Sequence, residues 1–213
     1  MIHIIDMYLL IYANYLRVND KMKSEDRQGQ PAELLGYLNL VKSMRNLMAQ
    51  KAYLTRMYIA AVFSGYGDAQ AIEKKFYSLP NRFQEKAELI FGAPLSEEFL
   101  NLLSLQAFYI LSLVNALAGG NQEMANYYTK LLYQNANDIA SHYAKMNPFW
   151  EEMQWRTLLY HYINLIIQDT VALGSREFVK ELDIFERLLL ASLAMGDYLG
   201  DGLYQYMTAG IKK

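Results

Sequence analysis

Apolar residues recur along this chain at spacings of three and four, most clearly between residues 147 and 174. Trp155, Leu159, Tyr162, Ile166, Asp169 and Leu173 fall on one face of a helix there, a core seam carrying a single acid. Beside it runs a second stripe, Gln154, Thr157, His161, Asn164 and Gln168, which is polar but uncharged. A face turned to water ordinarily carries Lys and Glu, so Gln154, His161 and Asn164 are expected to face protein or an enclosed cavity. Asn147 is placed to cap this helix, with Pro148 in its first turn, where a missing N–H costs nothing.

The same period predicts helices along the rest of the chain. Ile4, Tyr8, Ile11 and Tyr15 share a face within residues 1–18, which predicts an amino-terminal helix docked on the body. Asp6 interrupts this stretch, and its longest apolar run, Met7 to Ala13, falls short of the roughly 20 residues of a membrane span, so membrane contact there is the lesser expectation. Residues 19–30 are polar and poor in aromatic side chains, as in a linker. From Pro31 a long helix is expected to reach Ser64 and stop at the glycines of SGYGD. Asp68 caps the next, to Leu79, and a short helix follows the break at Pro80 and ends at Gly92. Ser96, followed by Glu97 and Glu98, marks a helix start, and that helix runs to the Gly119-Gly120 pair. Asn121 caps another to about Met146, and Ser175 caps the last. On the last helix Phe178, Leu182, Phe185, Leu189, Ser192, Gly196, Leu199, Leu203 and Tyr206 form the seam, with Ser192 and Gly196 small enough to admit a neighbouring helix. The expected fold is an all-α bundle of seven or more helices, with residues 31–213 as one domain.

A longer period overlies the short one. Lys51 in LMAQK, Gln106 in LLSLQ and Tyr162 in LLYHY each stand four residues after a leucine, 55 and 56 positions apart (106 − 51 and 162 − 106). The three helices then reach Gly65, Gly119 and Gly174, and FYSLPNRF at 76–83 aligns with LYQNANDI at 132–139. Three helix-pair repeats of about 55 residues are therefore expected, near 41–92, 96–146 and 148–210.

Composition narrows the function. With 53% apolar residues the chain buries a large core, and a net charge of −2 supplies no field for nucleic acid or acidic lipid. No cysteine means no disulfide framework and no thiolate metal site, which suits a cytoplasmic location. The 18 tyrosines fit helix packing with the hydroxyl reaching a polar layer. Neither His142 nor His161 has a glutamate three positions before it, so the di-iron bundle pattern is missing. There is no His-Glu-x-x-His, no P-loop and no glycine-rich dinucleotide turn, and GDYLGDG lacks the ligand spacing of a calcium loop. Asp197 and Asp201, one turn apart, read as a solvated helix edge. No cofactor is expected.

The motifs KAYLTRMYIAAVFSG, LL-x-x-Q, NANDIASHYAKMNPFW and AMGDYLGDG resemble an uncharacterised family of bacterial all-helical proteins. That family carries His-x-x-Trp-Thr-Arg in the first repeat, Glu-His-Leu in the second, and Asn-Ala-Asp-Asp-Ile-Ala then Asn-Pro-x-Trp before the third. The resemblance covers roughly residues 41–210. This chain departs from the pattern where the family's histidines stand: Lys51, Gln106 and Tyr162 occupy those positions, and Arg82 replaces an acid. Asp138 and Asp197 retain the acids that the resemblance implies.

The absence of a catalytic signature, together with uncharged polar and tyrosine-rich faces, favours a non-enzymatic helical protein that binds a partner protein or a second copy of itself. The alternative is a small-molecule or metal-binding bundle with a site lined by His161, Tyr162 and nearby acids. Its candidate ligand-binding residues are His161, Tyr162, Asp169, Asp138, Asp197 and Gln106. His161 can exchange a proton near neutral pH, with Asp169, Asp138 or Asp197 to orient it. Asp169, a carboxylate on an apolar seam, calls for a cationic partner, and Arg45, Arg56 and Arg156 are the candidates.

Overall fold

The computed structural model describes residues 31–65 and 67–211. The expected amino-terminal helix over 1–18, its membrane contact and the linker over 19–30 lie outside the described residues. The chain forms two compact units, residues 1–38 and 39–213, and everything below concerns the second. The fold is all-α: helices α1 (Pro31–Ser64), α2 (Ala69–Tyr77), α3 (Leu79–Phe91), α4 (Ala93–Ala118), α5 (Gln122–Met146), α6 (Glu152–Gly174) and α7 (Phe178–Ile211), with no strand among the described residues.

Several boundaries follow from single side chains. Asp68 accepts the Ala71 N–H at 3.0 Å at the head of α2, and Asn121 accepts the Met124 N–H at 3.1 Å at the head of α5, each pairing one donor that the first helical turn leaves free. Pro80 sits in the first turn of α3, where it breaks the chain from α2 without losing a helical bond. Two expected starts move. Helix α4 begins at Ala93, three residues before Ser96, because Gly92 (φ 79°) ends α3 and Pro94 presets the next turn; Ser96 is buried, and its hydroxyl donates back to the carbonyls of Gly92 and Ala93. Ser175 closes α6 and does not open α7.

The start of α6 also moves, from Pro148 to Glu152, and the reason lies on α7. Asn147 spends its side chain as a clamp, Oδ1 accepting from Phe149 N at 3.0 Å and Nδ2 donating to the Gly202 carbonyl at 2.9 Å. Trp150 follows, its Nε1 donating to the Tyr198 carbonyl at 3.2 Å. This indole lies so close to α7 that a Cβ on Gly202 would sit 1.9 Å from Nε1. Trp150, Trp155, Tyr143 and Tyr198 form the aromatic end of the core, with Tyr143 edge-on to Trp155 at 4.6 Å between centroids.

Helix directions are fixed by cross-helix bonds. Tyr58 of α1 donates to Asn115 Oδ1 of α4 at 3.1 Å, and Lys51 of α1 meets Gln106 of α4, so the two helices run parallel. On α5, Asn135 Nδ2 donates to the Leu102 carbonyl at 3.0 Å and His142 Nε2 lies 3.0 Å from the Leu95 carbonyl, so α5 runs antiparallel to α4. Helix α7 runs antiparallel to α1, since Arg45 meets Asp197 while Arg56 meets Glu181. Gly196 and Gly200 let these two helices touch at the backbone: a Cβ at either would stand 2.7 Å from the Cα of Arg45 or Val41. Helix α4 is long and apolar enough to cross a membrane by length and composition, and α2, α3, α5 and α6 pack against it.

The seam of α7 differs from the expected one in its first half. Phe178 and Leu182 are exposed, while Glu181, Ile184, Leu188, Ala191 and Met195 are buried; from Ser192 onward the expected Ser192, Gly196, Leu199 and Leu203 are buried as well. An acid occupies the place of the first apolar residue because it reaches Arg56 across the helix pair. The glycine stops also resolve into different roles. Left-handed residues fall at Gly65 (φ 67°), Gly120 (φ 66°) and Arg176 (φ 60°), each 14 positions beyond Lys51, Gln106 and Tyr162 respectively (65 − 51, 120 − 106, 176 − 162). Gly174 is helical and is needed for another reason, since a Cβ there would lie 2.7 Å from the Phe63 ring.

Candidate functional site

Lys51 occupies a buried position on α1, on the face that also buries Met44, Leu47, Met48 and Thr55, so its helix carries the amine into the core whether or not a counterion is there. Its Nζ donates to Gln106 Oε1 of α4 and stands 4.8 Å from the centroid of the Tyr162 ring of α6. Thr55, one turn further along α1, donates to the Lys51 carbonyl at 2.9 Å and lies 3.5 Å from the Tyr162 hydroxyl. The three motif positions thus converge from the three parallel helices α1, α4 and α6 on one polar cluster. Burial alone pulls the Lys51 amine down to about 7, and burial holds the Tyr162 phenol well above its ordinary value, so the phenol keeps its proton. Gln106 is fully buried, and its Nε2 has no hydrogen-bond partner among the described residues.

Lys51 also borders a cleft. Met48, Phe76, Leu79, Pro80, Phe83, Leu103 and Ala107, from α1, α2, α3 and α4, line it, and the lysine is its one polar lining residue. The cleft encloses about 20 Å³, room for about one water molecule, and opens to solvent beyond that.

A second charged layer lies further along α1. Arg56 grips Glu181 with two parallel bonds, Nε to Oε1 at 2.6 Å and Nη2 to Oε2 at 3.0 Å. Asp169 is near this pair and 0% exposed, yet neither of its oxygens has a hydrogen-bond partner among the described residues. Burial, with the Glu181 charge in support and Arg56 in opposition, pushes its carboxyl up to about 7. The Glu181 bond and charge, against a smaller burial effect, raise Arg56 in turn.

The six sequence candidates therefore separate. Gln106 and Tyr162 share the Lys51 cluster. Asp169 lies seven residues beyond Tyr162, about 10 Å along the helix, beside the Arg56–Glu181 pair. Asp197 pairs with Arg45; burial raises its carboxyl, and Arg45 opposes that. Asp138 is exposed on α5, pointing away from the core that Ile139 and Asn135 enter. His161 is half-buried, one residue and about 100° round the helix from Tyr162, and both burial and the Arg187 charge lower its affinity for a proton. The uncharged stripe is not enclosed: Asn164 is exposed and Gln154, Thr157 and Gln168 are half-buried, because the apolar seam of α6 already fills the inner surface. Among the described residues no three His, Asp or Glu side chains gather closely enough to hold a metal ion.

Lys51 is the residue that sequence reasoning left out of the site, although it stood at a motif position. The available signal was its setting, a lone cation between Leu47, Met48 and Thr55 at core spacing. Arg56, expected as a partner for Asp169, bonds Glu181 instead, and Glu181 was harder to see because it lies four helical positions into a charge-rich first turn. No family model, curated protein or solved structure matches the chain.

Proposed function

We propose that this chain is a small-molecule-binding helical bundle, and that its ligand is a small apolar compound with one hydrogen-bond-accepting group, seated in the cleft beside Lys51. The observation that supports this reading is Lys51, a buried lysine without a carboxylate partner whose side chain borders an otherwise apolar cleft. Placing an amine there costs stability, and a ligand oxygen accepting from Lys51 recovers part of that cost on binding. The apolar body of the ligand lies against Phe76, Leu79, Phe83 and Leu103. Lys51 is the polar end of that site, with Gln106 and Tyr162 behind its amine and His161 and Asp138 outside it. Binding without catalysis, and a cytoplasmic location, go with this reading.

Titration calorimetry with pentan-1-ol and pentanoate tests it. Saturable one-to-one binding is expected, lost in Ala107→Leu, whose larger side chain fills the cleft, and kept in Asn164→Ala on the outer face. A folded Ala107→Leu variant that binds as well as the native chain, or no saturable heat with either compound, counts against the site.

The expected threefold repeat belongs to the same proposal. The shared 14-residue step from each motif position to its left-handed helix terminator, and the parallel run of α1, α4 and α6, support three copies of one helix pair whose equivalent positions became lysine, glutamine and tyrosine. Self-association is the second reading, favoured by the exposed Leu105, Phe108 and Tyr127 on the outer faces of α4 and α5. Sedimentation velocity of the native chain and of Phe108→Glu decides it, a concentration-dependent dimer lost in the variant being the expected result.

A further inference from the structure

We propose that α5 is the seam of a two-fold symmetric dimer, packing antiparallel against the α5 of a second copy of this chain with Gln134 on the symmetry axis. The proposal rests on the self-association reading above and supplies the element, direction and register that it leaves open. Glu123, Lys130, Asp138 and Lys145 are all the Asp, Glu, Lys and Arg residues of α5. At about 100° per residue they fall within about 80° of one another around the helix, and all four are exposed, so every formal charge of α5 lies on one outward stripe. None of the four has an ion-pair partner among the described residues. Along the stripe their signs alternate, acid, base, acid, base.

Such a stripe is complementary to its own reverse. Residue 134 is midway between 123 and 145 and also midway between 130 and 138. A two-fold axis through Gln134 therefore sets Glu123 level with Lys145 of the second copy, and Lys130 level with Asp138 of the second copy. Symmetry repeats both pairs, so four ion pairs spread over about 33 Å of helix. Tyr127 and Ser141 lie on the same stripe and are also equidistant from 134. Each exposed Tyr127 ring, edge-on to Tyr128 at 5.4 Å between centroids, thus comes over the small Ser141 side chain of the other copy. A slip of seven residues sets Lys130 against Lys145 or Glu123 against Asp138, and a parallel pair in register sets each charge against itself, so the pattern selects both direction and register. An unrelated partner needs no such antisymmetry, which is why the occupant is a second copy.

Sedimentation velocity of Lys130→Glu, of Asp138→Lys and of their equimolar mixture tests the seam. Both positions are exposed, and unchanged helical circular dichroism is expected in each variant. Alone, each variant opposes two like-charged pairs and dimerises at least about tenfold more weakly than the native chain. Mixed, each altered side chain meets the opposite sign, and a heterodimer of near-native affinity forms. The chain has no cysteine, so Gln134→Cys adds a single thiol that cross-links to its twin on the axis under mild oxidation. Tyr127→Cys does not, since its two copies stand about 21 Å apart along the seam. A native dimer that both charge variants leave intact, that mixing fails to restore, or that cross-links through position 127 and not 134 rejects the α5 seam and leaves self-association standing. A native chain that stays monomeric up to about 100 μM rejects both.

Discussion

Replacing Asp169 by Asn removes a carboxyl that the fold keeps protonated, and the consequence for stability has a definite sign. The carboxyl titrates near 3.8 when solvated and near 7 in the folded protein. Between those values the folded state holds a proton that the unfolded state has released, so stability falls as pH rises through this window. The full fall is about 4 kcal/mol, from roughly three pK units at about 1.36 kcal/mol each. Asparagine has nearly the same shape but does not titrate, and it adds two N–H donors where partners are lacking, at a cost of about 1–3 kcal/mol. At pH 4 the variant is therefore less stable than the native chain by about that amount. At pH 8 it is more stable by about 1–3 kcal/mol, and the two cross within the window. Urea melts of both proteins at half-unit steps from pH 4 to 8 measure this, and taking the difference cancels every other titrating group. A difference that stays constant with pH refutes the argument, because it means that Asp169 ionises equally in both states.

The neighbouring pair predicts an asymmetry. Arg56→Ala strands Glu181, whose side chain is 3% exposed, and should cost about 3–5 kcal/mol, whereas Glu181→Gln leaves an Arg56 that is 35% exposed and should cost less; equal shifts in urea midpoint would sink the idea. Gly196→Ala puts a Cβ 2.7 Å from the Arg45 Cα, so α1 and α7 must part, and a loss of about 1–3 kcal/mol in a denaturant melt is expected, with no loss meaning that the two helices pack more loosely.

Most of the helices were legible because apolar spacing and short-range caps are local signals. Asp68 and Asn121 could be read as caps from their neighbours alone, and the α6 seam from Trp155 to Asp169 from its period. What could not be read was wherever a distant element claimed a side chain. Asn147 has the chemistry of a cap, but the Gly202 carbonyl, 55 residues on, takes its amide, and the helix starts later. Glu181 looks like a solvated first-turn acid until Arg56 is known to lie across from it. His161 attracted the site assignment because a histidine on a polar stripe is conspicuous. Lys51 did not, because a lysine is ordinarily a surface residue and only convergence of three helices removes it from water. Gln106, Tyr162 and Lys51 were nonetheless visible as a set, through their 55- and 56-residue spacing, before any contact between them was known.

The position of Lys51 explains why its amine lacks a counterion. Helices α1 and α7 run antiparallel and join at two charged rungs, Arg45 with Asp197 and Arg56 with Glu181, between which Tyr53 packs on Phe185 at 5.6 Å. Continuing that register, the level of Lys51 falls near residues 188–192 of α7. Leu188 and Ser192 are buried there, and the Ser192 hydroxyl is already committed to the Leu188 carbonyl at 2.8 Å. No acid occurs on α7 from Arg187 to Gly196. Lys51 itself lies about 120° round α1 from Arg45 and turns toward α4 and α6, where an amide and an aromatic ring meet it, so burial lowers its affinity for a proton. An amide and an aromatic face complete the shell, and neither takes up a positive charge as a carboxylate does. The same arrangement that makes Lys51 a poor structural residue holds in place an amine that burial disposes to give up its proton.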